Sequence, residues 1–292
     1  MCLNEGEVNG IKSLVDAGSK ITGSAVGAGI GFLLGGPIGA AMGGGSAYML
    51  QRGIIEVGTD IAERLLSERE KIRIGGVTIY AVDKILKKLA AGEMLRDDGF
   101  FESLSTGHPA CAEIPIIERP PANEVFEGIL LAVQREHEEN KLPFVGNLLA
   151  NIFFDSIIDK AQANLLIKFA QRFSFRQMCI LSLYADQDKI IEMKRRCINN
   201  PQEYSIAKRE SLLSEAVELG LLFRGRDLSF DSMPGIPVSS LYDLWHSENV
   251  QVAGVGRDLY RLMELERIDD GELVAIVSLI FNANFENYDI AH

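Results

Sequence analysis

The sequence carries no charged side chain from Ile21 to Leu50, the stretch bounded by Lys20 and, after Gln51, by Arg52. It is also poor in cysteine. Cys2, Cys111, Cys179 and Cys197 form no CxxC pair and no framework spacing, so no disulfide scaffold is expected and a reducing compartment is the natural setting. No Gly-Lys-Ser/Thr closes a phosphate loop, no Gly-x-Ser-x-Gly elbow presents a nucleophile, and no GxGxxG follows a strand and opens a helix. No enzyme and no cofactor are therefore expected. A surplus of cations is missing as well: the net charge is −12, which argues against broad non-specific binding to nucleic acid or anionic lipid. Residues 1–98 hold 11 Lys and Arg against 12 Asp and Glu, so the acidic excess falls beyond them. A signal peptide is not expected, because Glu5, Glu7 and Asp16 stand against Lys12 and Lys20 and the apolar run that follows is too long for one.

What the uncharged run does contain is glycine in register. Gly23, Gly27, Gly31, Gly35, Gly39 and Gly43 recur every four residues, and Ala47 continues the series. Residues four apart share one helix face, so a helix here carries a groove of bare backbone. Val26, Ile30, Phe32, Leu33, Ile38 and Met42 occupy the rest of its surface. Such a groove admits a second helix closely, as in small-xxx-small packing between membrane helices. Thirty residues would make a straight helix of about 45 Å, more than a bilayer needs. Gly35-Gly36-Pro37 interrupts it near the centre, and each remaining half is too short to span alone. Glycine further weakens the helix by about 1 kcal/mol per residue against alanine. The expectation is a glycine-zipper hairpin or kinked helix, broken at Pro37, that needs a partner. Tight packing within a soluble helical hairpin predicts the same register.

The remainder reads as mostly α. Residues 1–20 form a short amphipathic helix. Ile54, Ile61, Leu65, Ile72, Ile79, Val82, Leu86 and Leu89 trace a stripe along a long helix over 53–89, with Gly75-Gly76 as the dividing point. Glycines and prolines mark 92–122 as a connector, anchored by Phe100 and Phe101. Asn123 caps a helix over 124–140, and others follow at 143–154 and 160–173. Ser174 caps a helix over 175–185 that continues into 188–197. Beyond Pro201 come a helix over 208–218, a two-stranded ribbon at 221–230, and helices over 255–266 and 269–281. The domain reading is 1–52 glycine-zipper segment, 53–98 long helices, 99–122 linker, 123–200 helical bundle, and 201–292 a small winged-helix-like module.

Residues 142–184, with Val145-Gly146-Asn147-Leu148-Leu149-Ala150-Asn151, then Asp155, then an aromatic-led helix from Phe175 to Leu183, resemble bacterial abortive-infection alpha-type helical proteins. Glu218 to Leu222 is similar to the entry of their winged-helix-like end, and Arg96 to Phe101 resembles a turn in a wider set of uncharacterised bacterial families. The resemblance covers 123–285 at most and supplies no catalytic residue. It implies a bacterial, cytoplasm-facing protein linked to phage defence.

Among individual residues, Asp97-Asp98 reads as a turn, since adjacent side chains diverge rather than converge on a ligand. His108-x-x-Cys111 offers two zinc ligands without a second pair, so no metal is expected. Lys194, Arg195 and Arg196 are the one dense basic cluster and the candidate nucleic-acid contact; a solvated helix face explains them better in so acidic a chain. The functional expectation is a membrane-associated or conditionally inserting protein that self-associates through the six glycines, at the cytoplasmic side of or within the inner membrane. The alternative is a soluble oligomeric interaction or DNA-binding regulatory protein that uses the same segment as a packing interface.

Overall fold

The computed structural model describes residues 45–62, 64, 66–102, 119–198, 211, 212, 215 and 252–281. The regular elements among them are helices, so the fold is mostly α. Two compact units divide between Arg172 and Phe173. That division falls inside the stretch 123–200, which the sequence reading treats as one bundle.

The N-terminal unit is built from α1 (Gly45–Ala62), α2 (Glu68–Ala90), α3 (Pro121–Gln134), α4 (Leu142–Ile152) and α5 (Lys160–Arg172). Helix α1 starts inside the uncharged run and passes through the expected boundary at 52/53. Its Leu50, Ile54, Val57 and Ile61 are buried. The long helix expected over 53–89 does break, but between Ala62 and Glu68 rather than at Gly75-Gly76. The cause is a capping box. The Ser67 hydroxyl accepts from the Glu70 N–H at 3.4 Å while the Glu70 carboxylate accepts from the Ser67 N–H at 2.7 Å, which starts a new helix at that point. Restarting the helix resets its phase. Ile74, Val77, Ala81, Val82 and Ile85 face the core, whereas the expected Ile72, Ile79, Leu86 and Leu89 are only half-buried.

Helix α3 lies at the centre of the unit, packed against α1, α2, α4 and α5. It begins at Pro121, where a missing N–H costs nothing, so Asn123 is an interior helical residue rather than the expected cap. It stops at Gln134, six residues short of Asn140; a 3-10 turn, Glu139–Lys141, then leads into α4. Phe100 and Phe101 are buried as expected, each edge-on to Phe153 at 6.4 and 5.5 Å between ring centroids.

Two glycines let helices approach closely. A Cβ on Gly53 would lie 2.1 Å from Asn123 Oδ1, and one on Gly146 would lie 2.9 Å from the Tyr80 ring. These are the contacts of α1 with α3 and of α4 with α2. Gly76, by contrast, has nothing within 4 Å of a built Cβ.

The C-terminal unit contains α6 (Phe175–Ala185), α7 (Gln187–Ile198), α8 (Val255–Met263) and α9 (Asp270–Phe281) among the described residues. Ser174 caps α6 as expected, in a second capping box with Gln177. Leu259, Leu262, Met263, Leu273 and Val277 form a core with Met178, Leu181 and Met193. The buried Ser182 hydroxyl donates to the Leu265 carbonyl at 2.8 Å, fastening α6 to the 3-10 turn Leu265–Arg267. Residues 211, 212 and 215 are helical and are joined to α6 through Arg176, which pairs with Glu215 and donates to Ser211 Oγ at 2.9 Å. The ribbon expected at 221–230 lies outside the described residues.

The glycines give opposite expectations in one assay. Gly146→Val should lower stability by about 1–3 kcal/mol through overpacking against Tyr80. Gly76→Ala should raise it by about 0.5–1 kcal/mol through reduced chain entropy. Urea midpoints with unchanged slopes would measure both.

Candidate functional site

The packing residues singled out in the run, Gly23, Gly27, Gly31, Gly35, Gly39 and Gly43, and the break at Pro37, lie outside the described residues. So do Cys2, His108, Cys111 and the 1–20 helix. What the structure does describe is the continuation: the last six residues of the run, 45–50, form the first turns of α1. Among the described residues no helix is long and apolar enough to cross a membrane.

The basic cluster sits on α7. Lys194 is placed in the helix, Arg195 is exposed, and Arg196 is spoken for. The Arg196 guanidinium pairs with Glu192 one turn back at 2.5 Å and with Asp270 at the start of α9 at 2.8 Å. The Glu192 hydrogen bond, partly offset by desolvation and reinforced by Asp270, raises its pKa further. Lys189 donates to the Glu266 carbonyl at 2.8 Å. Of the described side chains Arg195, Arg196 and Lys189, Arg195 is therefore the one left most open to an anion.

Asp97 and Asp98 do not converge. Asp98 takes both carboxylate oxygens to Arg96, at 2.8 Å through Nε and also through Nη2, while Asp97 is exposed. That hydrogen bonding outweighs partial burial and holds the Asp98 carboxyl below its usual range. Arg96 itself is buried. Its guanidinium stacks on Phe100, 3.9 Å from the ring centroid, and donates to the carbonyls of Ile158 at 2.7 Å and Ile152 at 3.4 Å. The Arg96–Phe101 turn is thus a structural clamp.

A second buried network, which the sequence reading missed, closes the turn between α3 and α4. Glu136 and Lys141 are both buried and ion-paired. The other Glu136 oxygen accepts from the His137 and Glu138 N–H groups at 2.9 Å each, and Lys141 also donates to the Gln171 carbonyl at 3.4 Å. Burial alone would push the Glu136 carboxyl up; Lys141 and the two loop N–H groups outweigh it and hold the carboxyl below its ordinary value. Arg73 of α2 donates to the carbonyls of Glu136 and, at 3.0 Å, of Gln134. Gln134 in turn donates to Glu70 at 2.9 Å. Hydrogen bonds from the Ser67 hydroxyl, Gln134 and the Ser67 N–H hold the Glu70 carboxyl at about 2. The cleft beside Glu136, lined by Ile129, Val133, Val145 and Ile167, has about 10 Å³ open to a water centre, room for about one water. The one available signal was the Ser67-x-x-Glu70 spacing; nothing local marks Arg73, Glu136 and Lys141 as partners.

Cys179 and Cys197 are buried, and Cys197 donates to the Val274 carbonyl at 3.5 Å. Among the described residues no group of three His, Cys, Asp or Glu side chains is placed to hold a metal ion. Compared with known proteins, the chain matches no family model, no curated protein and no solved structure.

Two substitutions test whether these networks are architecture. Lys141→Met strands a buried carboxylate and should cost about 3–5 kcal/mol at pH 7. Since the folded Glu136 pKa is lowered, the pair's stabilisation is fully present above the ordinary carboxyl pKa of about 4.3 and is lost as pH falls through the folded value. The difference between parent and Lys141→Met should therefore shrink below that pH in denaturation curves. Arg96→Lys keeps the charge but loses the fork and the ring stacking, and should destabilise by about 2 kcal/mol or more, seen as a lowered midpoint of thermal unfolding.

Proposed function

We propose that the protein is a membrane-associated or conditionally inserting, self-associating bacterial effector. Its glycine-zipper hairpin, broken at Pro37, would be held by the helical units until other copies or a bilayer replace that packing. The observation that carries this reading is the 30-residue uncharged run with six glycines at intervals of four, leading without interruption into α1. Helix α1 is fastened into the N-terminal unit by four buried apolar side chains, which gives the run a rigid base.

Self-association supplies the driving force. A lone kinked segment leaves its groove empty, and pairing of such segments recovers van der Waals contact along bare backbone. Loss of membrane integrity is the effect that follows from assembly in a bilayer. The resemblance of residues 123–285 to abortive-infection alpha-type proteins supports a setting in phage defence, at the cytoplasmic face of or within the inner membrane, with the winged-helix-like part as the sensing or holding module. The soluble DNA-binding alternative has less support, because Arg196 is already engaged by two carboxylates and the chain is strongly acidic.

Vesicle flotation of the full-length protein tests the proposal. Comigration with membranes, together with oligomers after cross-linking, is expected, and Gly31→Leu with Gly35→Leu should abolish the oligomers and any toxicity on expression. A protein that stays wholly in the soluble fraction at toxic dose, or variants that behave as the parent, would sink it.

A further inference from the structure

We infer that the end of the N-terminal unit at which the uncharged run enters α1 rests on a bilayer surface, with Met94 and Ile157 as shallow apolar anchors. This inference rests on the membrane reading above and gives it an orientation.

Three segments gather at that end. The Arg96 N–H donates to the Phe153 carbonyl at 3.1 Å and the Arg96 guanidinium to the Ile158 carbonyl at 2.7 Å, which ties the connector after α2 to the turn after α4. The Ala122 N–H donates to the Phe100 carbonyl at 3.0 Å, and Lys160 pairs with Glu124 at 3.0 Å, which ties both loops to the start of α3. The direction of α1 places its own start there too. Gly53 meets Asn123 in the first turn of α3, whereas Arg64, just past the end of α1, reaches Glu127 at 3.0 Å one turn further on. Helix α1 thus runs in the same sense as α3. Gly45, eight residues before Gly53 and about 12 Å away along the axis, lies on the side of the α3 start. The uncharged residues before it join the unit at this end.

Exposure singles out two side chains on these loops. Met94 is 85% exposed and Ile157 81%, while the other large exposed apolar residues among the described ones, Leu131, Leu165 and Ile191, expose 36%, 40% and 49%. Apolar side chains scattered singly over a surface need no explanation. These two are the most exposed of the described large apolar side chains, they stand on loops that one buried arginine fastens together, and they share the end from which an apolar run leaves. The Arg96 hydrogen bonds join the two loops that carry them.

The partner chemistry follows from the charges nearby. Lys87, Lys88 and Lys160 are offset by Asp83, Glu93, Asp97, Asp155 and Asp159, and Lys87 and Lys88 are already paired, at 2.8 Å to Asp83 and 2.7 Å to Glu93. No positive surplus faces outward among these described residues, so attraction to the bilayer is apolar and a zwitterionic surface suffices.

Full-length protein and phosphatidylcholine vesicles provide the test. Met94→Trp and Ile157→Trp are each made with Trp245→Phe, which removes the chain's one native tryptophan, so that the new indole is the sole emitter. Quenching by lipids brominated near the headgroup end of the acyl chain is expected at both positions. Met94→Glu with Ile157→Glu, on side chains this exposed, leaves the helical circular dichroism unchanged and lowers vesicle partitioning by about tenfold or more, with little dependence on salt. Flotation without quenching at either position overturns this inference and leaves the membrane proposal standing. Failure of the unaltered protein to float overturns both. If the double glutamate variant instead dissolves an oligomer that forms without vesicles, the surface joins copies of the chain and the bilayer assignment is wrong.

Discussion

Helices that end inside a packed unit leave carbonyl oxygens with no water to satisfy them, and the N-terminal unit depends on how it answers that demand. Three cations, the buried Arg96 and Lys141 and the half-buried Arg73, each contributed from outside the helix it serves, do so. Arg73 donates to Gln134 and Glu136 at the end of α3, Arg96 to Ile152 at the end of α4, and Lys141 to Gln171 at the end of α5. A positive charge at a helix C-terminus also opposes the macrodipole. The carboxylates Asp98 and Glu136 then balance two of these cations, so the ion pairs serve the carbonyls rather than one another. Two of these interactions set where helices stop: Arg73 draws α3 to a close at Gln134, and Arg96 holds the turn that follows α4.

Much of the helical architecture is legible in the sequence, and the failures share a cause. The ends of α4, α5, α6 and α9 lie within about two residues of the expected positions, because local signals decide them: Pro143 in a first turn, Ser174 as a cap, Asp270 opening a last helix. The long helix over 53–89 divides elsewhere than expected because Gly75-Gly76 looks, from sequence, like the weak point. Intrinsic propensity is overridden there by packing on α3 and α4, while the Ser67–Glu70 box imposes the real break. Asn123 has the chemistry of a cap although Pro121 starts the helix, and its buried place against Gly53 depends on a contact 70 positions away in sequence. Arg73, Glu136 and Lys141 show the same limit. Arg73 lies 63 residues from Glu136, a separation that leaves no periodic trace, and the five-residue spacing of Glu136 and Lys141 leaves none either.

The charge economy of the two units bears on where function resides. The described Arg and Lys residues that are buried hold backbone, and Arg196 in the C-terminal unit joins α7 to α9. Polar chemistry is thereby committed to keeping the helices in place. The apolar run, just over a tenth of the chain length and free of charge, has no comparable commitment in the sequence. The scaffold is thus electrostatically locked, and the run is electrostatically blank.

Gly53 gives that contrast a mechanical side. With only a hydrogen facing Asn123, α1 is keyed to α3 at a single register, and a shift of one residue along the contact would bring a side chain against the buried amide. Sliding of α1 along α3 therefore requires the Asn123 side chain to give way. A pull or reorientation applied to the residues ahead of it is carried either by bending in those residues or by lifting the whole helix off α3, and lifting it exposes Leu50, Ile54, Val57 and Ile61 together.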